Sequence, residues 1–277
     1  MRRFLLKLLV WSLVSLLAVC AVDTVLYYSG YINKNKIGHE VQIAISKSKN
    51  PASYRFVVLG DSVGLQFYDT WTTYDNLVSL ASNMGVSLAG QFFLLNNYVK
   101  THGNALPEKV FLILTYQSLN NDLTTDLTYP YFLKNFYRRE YRPFYNESLW
   151  CQVRKTPFYW TATWPIFRTS NIAFHYSISS NGDHVMVSKI SETYLHAIEK
   201  IAEENQIDFA LLIAPIRESA KEEFLALLQQ GLDGGEIRDP ILERALQEVV
   251  FLPDSLYRDD VHFNEDDIPY DYLDLLN

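Results

Sequence analysis

Two short motifs at opposite ends of the polar part of this 277-residue chain hold residue types able to do nucleophilic chemistry. Near the start, the apolar run Phe56-Val57-Val58-Leu59 leads into Gly60-Asp61-Ser62. Near the end, Asp259-Asp260-Val261-His262 places an aspartate three residues before a histidine. A serine hydroxyl is a poor nucleophile until a base takes its proton. Histidine does this near neutral pH, and a carboxylate on its other ring nitrogen fixes the tautomer. Ser62, His262 and Asp259 can fill those roles, and the i, i+3 spacing lets the last two share one face of a turn or short helix. Taken singly, Ser62 reads as a helix N-cap and His262 as a loop histidine. Together, in this order, they read as a serine hydrolase or acyltransferase site.

Such a site needs a sheet to hold it. Tyr54–Leu59 reads as a first strand, with a helix beginning just after Ser62, so that the N–H groups of the turn and the helix dipole face a developing oxyanion. Residues 76–100 read as a short strand or turn followed by a helix through Phe92-Phe93-Leu94-Leu95. Lys109–Leu114 and Asp208–Ala214 are continuous apolar runs, the mark of strands buried on both faces. Between 186 and 206, Ile190, Tyr194, Ile198, Ile201 and Ala202 recur at helical spacing. Amphipathic segments follow around Phe224–Leu228 and from Pro240 to Val249. Strands alternating with helices predict an α/β domain of βαβ crossovers, with a mostly parallel sheet between two helical layers.

The termini and composition restrict the setting. A net charge of −8 argues against binding nucleic acid, since nothing would neutralise a phosphate backbone. Phe4 to Val22, interrupted only by Lys7, approaches the ~20 apolar residues a membrane-spanning helix needs. Arg2, Arg3 and Lys7 predict a single-pass, N-in orientation with the remainder exported. Residues 1–28 are therefore read as an anchor, with a cleaved signal peptide or lipidation at Cys20 as alternatives. Residues 29–52 read as a polar linker and 53–277 as the domain. Cys20 and Cys151 lie too far apart to predict a disulfide, and Cys151 is expected to be a buried thiol. Residues 129–169 break the alternation with a run of Tyr, Phe and Trp interleaved with Arg138, Arg139, Arg142 and Arg154. They read as a helical insertion packed on the domain with arginines against rings, or as a lid for sugars, lipid headgroups or a membrane partner.

With Gly60-Asp61-Ser62 as a first block and Asp259-x-x-His262 as a last, the chain resembles the SGNH (GDSL-like) hydrolase and acyltransferase superfamily over roughly residues 54–265. That resemblance implies a flavodoxin-like α/β/α sandwich, Ser62 as nucleophile, and Asp259 and His262 as its partners. It also implies an oxyanion hole made by Ser62, a glycine and an asparagine. Gly90 is assigned to the glycine block. The asparagine block departs from the family's Gly-x-Asn-Asp, because Leu114 is followed by Thr115-Tyr116-Gln117-Ser118. Gln117 is the expected donor there, with Asn120 or Asn121 as alternatives.

The sequence Gly60-Asp61-Ser62-Val63-Gly64 also satisfies the G-x-S-x-G elbow of α/β-hydrolases, but only one strand precedes it here and the acid lies beside the histidine. No CxxC pair or His-Glu-x-x-His is present, so no metal or cofactor is expected. His39, His102, His175, His184 and His196 read as solvated or satisfied, and Glu265-Asp266-Asp267 as a solvated acidic turn. The resemblance implies an acyl-serine enzyme at the bacterial inner membrane with its domain periplasmic or extracellular. Its substrate would be acyl, above all O-acetyl, groups of an envelope or secreted polysaccharide, and a multi-spanning membrane O-acyltransferase is an expected partner. The alternatives are a non-catalytic docking module and a lipid esterase at the bilayer surface.

Overall fold

Four parallel strands form the centre of the protein. They are β1 (Phe56–Gly60), β2 (Leu77–Ser79), β3 (Lys109–Leu114) and β4 (Asp208–Ile213), in spatial order β2-β1-β3-β4. Val58 lies opposite Ser79 on one side and Phe111 on the other, and Leu112 opposite Leu211. This is the flavodoxin-like order, whose reversal point falls between β1 and β3. The computed structural model describes residues 1–28, 39–103, 105–123, 128–156, 159, 186–264 and 268.

The alternation of strand side chains divides the core. Val57, Leu59, Val110, Leu112 and Leu114 face one layer, while Val58, Phe111 and Ile113 face the other. All are at most 2% exposed, which is why these strands read as unbroken apolar runs. A short helix follows β1 (α3, Ser62–Phe67) and packs against β1 and β3. With the C-terminal segment around Tyr257 and Phe263, it covers the second face. Two long helices, α4 (Leu88–His102) and α6 (Lys189–Glu204), pack on each other over the first face. They are joined there by α7 (Lys221–Asp233) and α8 (Pro240–Gln247), through Phe224, Leu242 and Leu246. A small parallel pair, β5 (Ile216–Arg217) and β6 (Phe251–Leu252), follows the main sheet. The expected α/β sandwich is present, with strand ends within two residues of those read from sequence.

The N-terminal helix α1 (Arg2–Tyr28) contains a 25-residue segment, Arg2–Leu26, whose most apolar 18 residues have a mean hydropathy of 2.4, long and apolar enough to cross a membrane. Within the segment read as a linker, His39–Ser48 instead form helix α2, which packs on α4 with Val41 and Ala44 fully buried. Lys49 and Asn50, just past its end, are exposed, while Asn33 to Lys36 lie outside the described residues.

The aromatic stretch joins the core. Tyr129, Phe132, Phe136, Tyr141 and Tyr145 are buried in one cluster with Phe92 and Phe93 of α4. Phe93 stacks on Tyr145 with ring centroids 5.4 Å apart and lies 5.3 Å from Phe136. Arg142 sits 5.1 Å over Tyr137 and Arg154 5.3 Å over Trp150. Phe158, Trp160, Trp164 and Phe167 lie outside the described residues, as do His175, His184 and the acidic turn 265–267. One expectation is corrected here. Cys151 is exposed, because helix α5 (Glu147–Lys155) buries Leu149 and Val153. A residue two positions from each points about 200° away, to the opposite side.

Candidate active site

The turn after β1 is built by one carboxylate. Asp61 is fully buried, and its Oδ1 accepts from the Val63 N–H at 2.9 Å, capping α3. Its Oδ2 accepts from the Thr115 N–H (2.8 Å), Thr115 Oγ1 (3.0 Å) and Ser118 Oγ (2.6 Å), all on the loop after β3. With one donor on Oδ1 and three converging on Oδ2, the burial of this side chain is compensated. This ties the carboxyl ends of β1 and β3 together at the topological reversal point. Gly60 permits the close approach, since a Cβ there would stand 2.6 Å from the Ile113 carbonyl oxygen.

Ser62 opens α3 at this crossing. Its Oγ lies 2.8 Å from His262 Nε2. On the other side of the ring, His262 Nδ1 lies 2.9 Å from both carboxylate oxygens of Asp259. Asp259 Oδ1 also accepts the backbone N–H groups of Val261 (3.0 Å) and His262 (2.8 Å), which folds the motif into a tight turn. Partial burial alone would raise the Asp259 pKa. The two N–H groups and the imidazole overcome it and hold the carboxyl at about 2. An ionised Asp259 takes the Nδ1–H, which leaves Nε2 as the acceptor facing the Ser62 hydroxyl.

Two further devices aim the histidine. The segment closes on itself through an antiparallel bridge between Tyr257 and Phe263, with the Arg258 N–H donating to the His262 carbonyl at 3.0 Å. Gln66, one turn along α3 from Ser62, then grips the neighbouring backbone. Its Nε2 donates to the Phe263 carbonyl (3.1 Å) and its Oε1 accepts the Phe263 N–H (3.2 Å). The Phe263 ring is buried against Phe67 and Tyr257.

The oxyanion assignments fare differently. The Ser62 N–H, at the first position of α3, has no hydrogen-bond acceptor among the described residues. Gly90 lies inside α4, where its N–H donates to the Ser87 carbonyl at 3.0 Å. The ring of Phe132 occupies the space a Cβ would need, so close packing accounts for this glycine. The glycine packed against the end of β1 is Gly85, in the loop after β2. A Cβ there would stand 2.7 Å from the Gly60 carbonyl oxygen. Gln91 Nε2 straps that loop down by donating to the carbonyls of Gly60 (2.9 Å) and Gly85 (2.6 Å). The signal for Gly85 was its place in the loop that follows the carboxyl end of β2, which neighbours β1.

Gln117 is exposed in a 3₁₀ turn (Tyr116–Asn120) after β3. With Thr115, Tyr116, Ala214, Pro215, Ile216, Asp260 and Val261 it lines a shallow depression. Asn120 is exposed, and the buried Asn121 is committed to Thr128 Oγ1 and the Leu123 N–H. Arg217 pairs with Asp260 at 2.7 Å on the rim. Among the other histidines, His102 is buried with its ring nitrogens 2.7 Å from the Tyr98 and Ala52 carbonyls.

No protein-family model matches the chain, and no curated protein matches it. A solved structure from Streptococcus pneumonia, described with the words platelet activating factor, is similar over 86% of this chain and 94% of that one, with a TM-score of 0.40 and 13% identity.

Proposed function

We propose that this protein is a membrane-anchored, SGNH-type serine esterase or O-acyltransferase. The observation that carries the proposal is the hydrogen-bonded line from Ser62 Oγ through the His262 ring to Asp259, at 2.8 and 2.9 Å. In the proposed reaction, Ser62 Oγ attacks an ester carbonyl while its proton passes to His262 Nε2. The tetrahedral oxyanion forms against the Ser62 N–H, with the exposed Gln117 amide as the further donor in this reading. Collapse breaks the ester bond, and the leaving alkoxide takes the proton from His262. The acyl group, now on Ser62, passes to water or to a sugar hydroxyl whose proton His262 removes and returns to Ser62.

The substrate reading is O-acetyl or other short acyl groups on an envelope or secreted polysaccharide. It rests on the SGNH resemblance together with an exported domain on an N-in anchor. A multi-spanning O-acyltransferase would then be the source or recipient of the acyl group. The test is fluorophosphonate labelling of the full-length chain in detergent, beside Ser62→Ala and His262→Ala, followed by p-nitrophenyl acetate and long-chain ester hydrolysis. Labelling lost in both variants, with acetate preferred, is expected. A folded wild type that takes no label would remove autonomous serine catalysis and leave a docking module. A preference for long chains would replace the polysaccharide reading with a lipid esterase.

A further inference from the structure

A second cluster of chemically capable side chains lies away from Ser62, between α6 and the start of α8. His196 and Glu199 are one turn apart on α6, and Asp239 is the N-cap of α8. The donor atoms of the three residues all lie within 4.8 Å of one another. His196 Nδ1 stands 3.2 Å from Glu199 Oε2 and 3.2 Å from Asp239 Oδ2. Asp239 uses its other oxygen to accept the Leu242 N–H at 2.9 Å, so Oδ2 is held rigidly towards the cluster.

Hydrogen bonding alone satisfies this group poorly. One Nδ1–H faces two carboxyl groups, which themselves lie within hydrogen-bonding reach of each other. Glu199 Oε1 is buried and has no hydrogen-bond partner among the described residues, a costly state for a carboxylate oxygen. The Asp239 side chain is 8% exposed and that of Glu199 18% exposed, so water compensates neither well. A divalent cation would neutralise both carboxylates and accept the imidazole lone pair at once. Donors around a tetrahedral zinc, at bond lengths of ~2.0–2.1 Å, stand ~3.3–3.5 Å apart, close to the two 3.2 Å separations from His196 Nδ1. The mixed nitrogen and oxygen set favours zinc over calcium or magnesium, which prefer all-oxygen shells.

We propose that His196, Glu199 and Asp239 form a zinc-class divalent cation site that clamps α6 to the N-terminus of α8, with water as fourth ligand on the half-exposed side of His196. This goes beyond the acyl-transfer reading and does not depend on it. The sequence carries no recognisable ligand spacing because only the packing of α6 against the loop before α8 assembles the set.

The experiment uses the full-length chain in detergent, cleared of metal with a chelator and titrated with Co²⁺ and then Zn²⁺. The expected result is one Co²⁺ per chain, with the visible d–d absorption of a four-coordinate site, displaced by Zn²⁺. Zn²⁺ at about 100 times its Kd should raise Tm by about 5–10 °C. Glu199→Gln keeps the side-chain shape and Asp239→Asn keeps the helix cap, so both variants should fold. Each is expected to weaken binding by about tenfold or more. Absence of stoichiometric Co²⁺, binding that survives both substitutions, or binding lost only in His262→Ala would overturn the proposal.

Discussion

At the level of single residues, the exposed Asp259 and the buried Asp61 do different work. Asp259 is half exposed, yet the two backbone N–H groups and the imidazole keep it ionised down to about pH 2. A carboxyl with a lowered pKa retains its charge above that value and loses it only as pH falls through it. Asp259 is therefore still charged at about pH 4, and no loss of kcat/KM above that pH is expected from its protonation. Asp259→Asn should lower the rate by about 10²–10⁴-fold through the wrong imidazole tautomer. Fluorophosphonate labelling rates against pH would check both statements, and a Asp259→Asn variant with wild-type rates would remove Asp259 from the mechanism. Asp61 holds the turn together. Asp61→Ala strands the Val63 and Thr115 N–H groups and the Ser118 hydroxyl, and should destabilise the fold by about 3 kcal/mol or more. Chemical denaturation measures this directly.

In the proposed mechanism catalysis depends on helix α3, which carries both Ser62 and the Gln66 clamp on one six-residue piece. Gln66→Leu removes both bonds to Phe263 while keeping side-chain bulk. It should let His262 drift and lower kcat by about 10–100-fold, on the scale expected for sub-ångström to 1 Å misplacement. KM should change little, and Tm should fall by only a few degrees. A proportional collapse of Tm and activity would instead mark Gln66 as merely structural. Gly60→Ala tests the seam beneath α3. Its Cβ would meet the Ile113 backbone oxygen at 2.6 Å, and backbone cannot yield cheaply. About 1–3 kcal/mol of lost stability is expected from thermal melts.

For the whole molecule, α1 and the α/β sandwich pull in different directions. The side chains of α1 are largely uncovered, Leu9 and Trp11 being 67% and 69% exposed. An apolar helix of that length has no stable place in water. The full chain is expected in the membrane pellet, resisting carbonate extraction, whereas a chain beginning at His39 should be recovered in the soluble fraction. Retaining α2 matters in that design, since Val41 and Ala44 fill part of the layer against α4. Recovery of the full chain in the soluble fraction would discard the anchor.

Much of this molecule was determined locally and so was legible in the residues. Apolar runs such as Val110–Leu114 specify doubly covered strands, and helical spacing from Ile190 to Ala202 specifies an amphipathic helix. The spacing of Asp259 and His262 sets a turn whose hydrogen bonds are all short-range. Tertiary structure alone decided what depends on distant segments meeting. It placed Ser62 2.8 Å from His262, set Gly85 against the Gly60 carbonyl at the end of β1, and buried aromatic residues of 129–145 in one cluster with Phe92 and Phe93. It also turned Cys151 outward and brought Asp239 to His196 and Glu199. The physical reason is range. Periodicity and capping act within a turn or a strand, whereas the sharing of one carboxylate by two loops, or the space left beneath a glycine, exists only once the layers have packed.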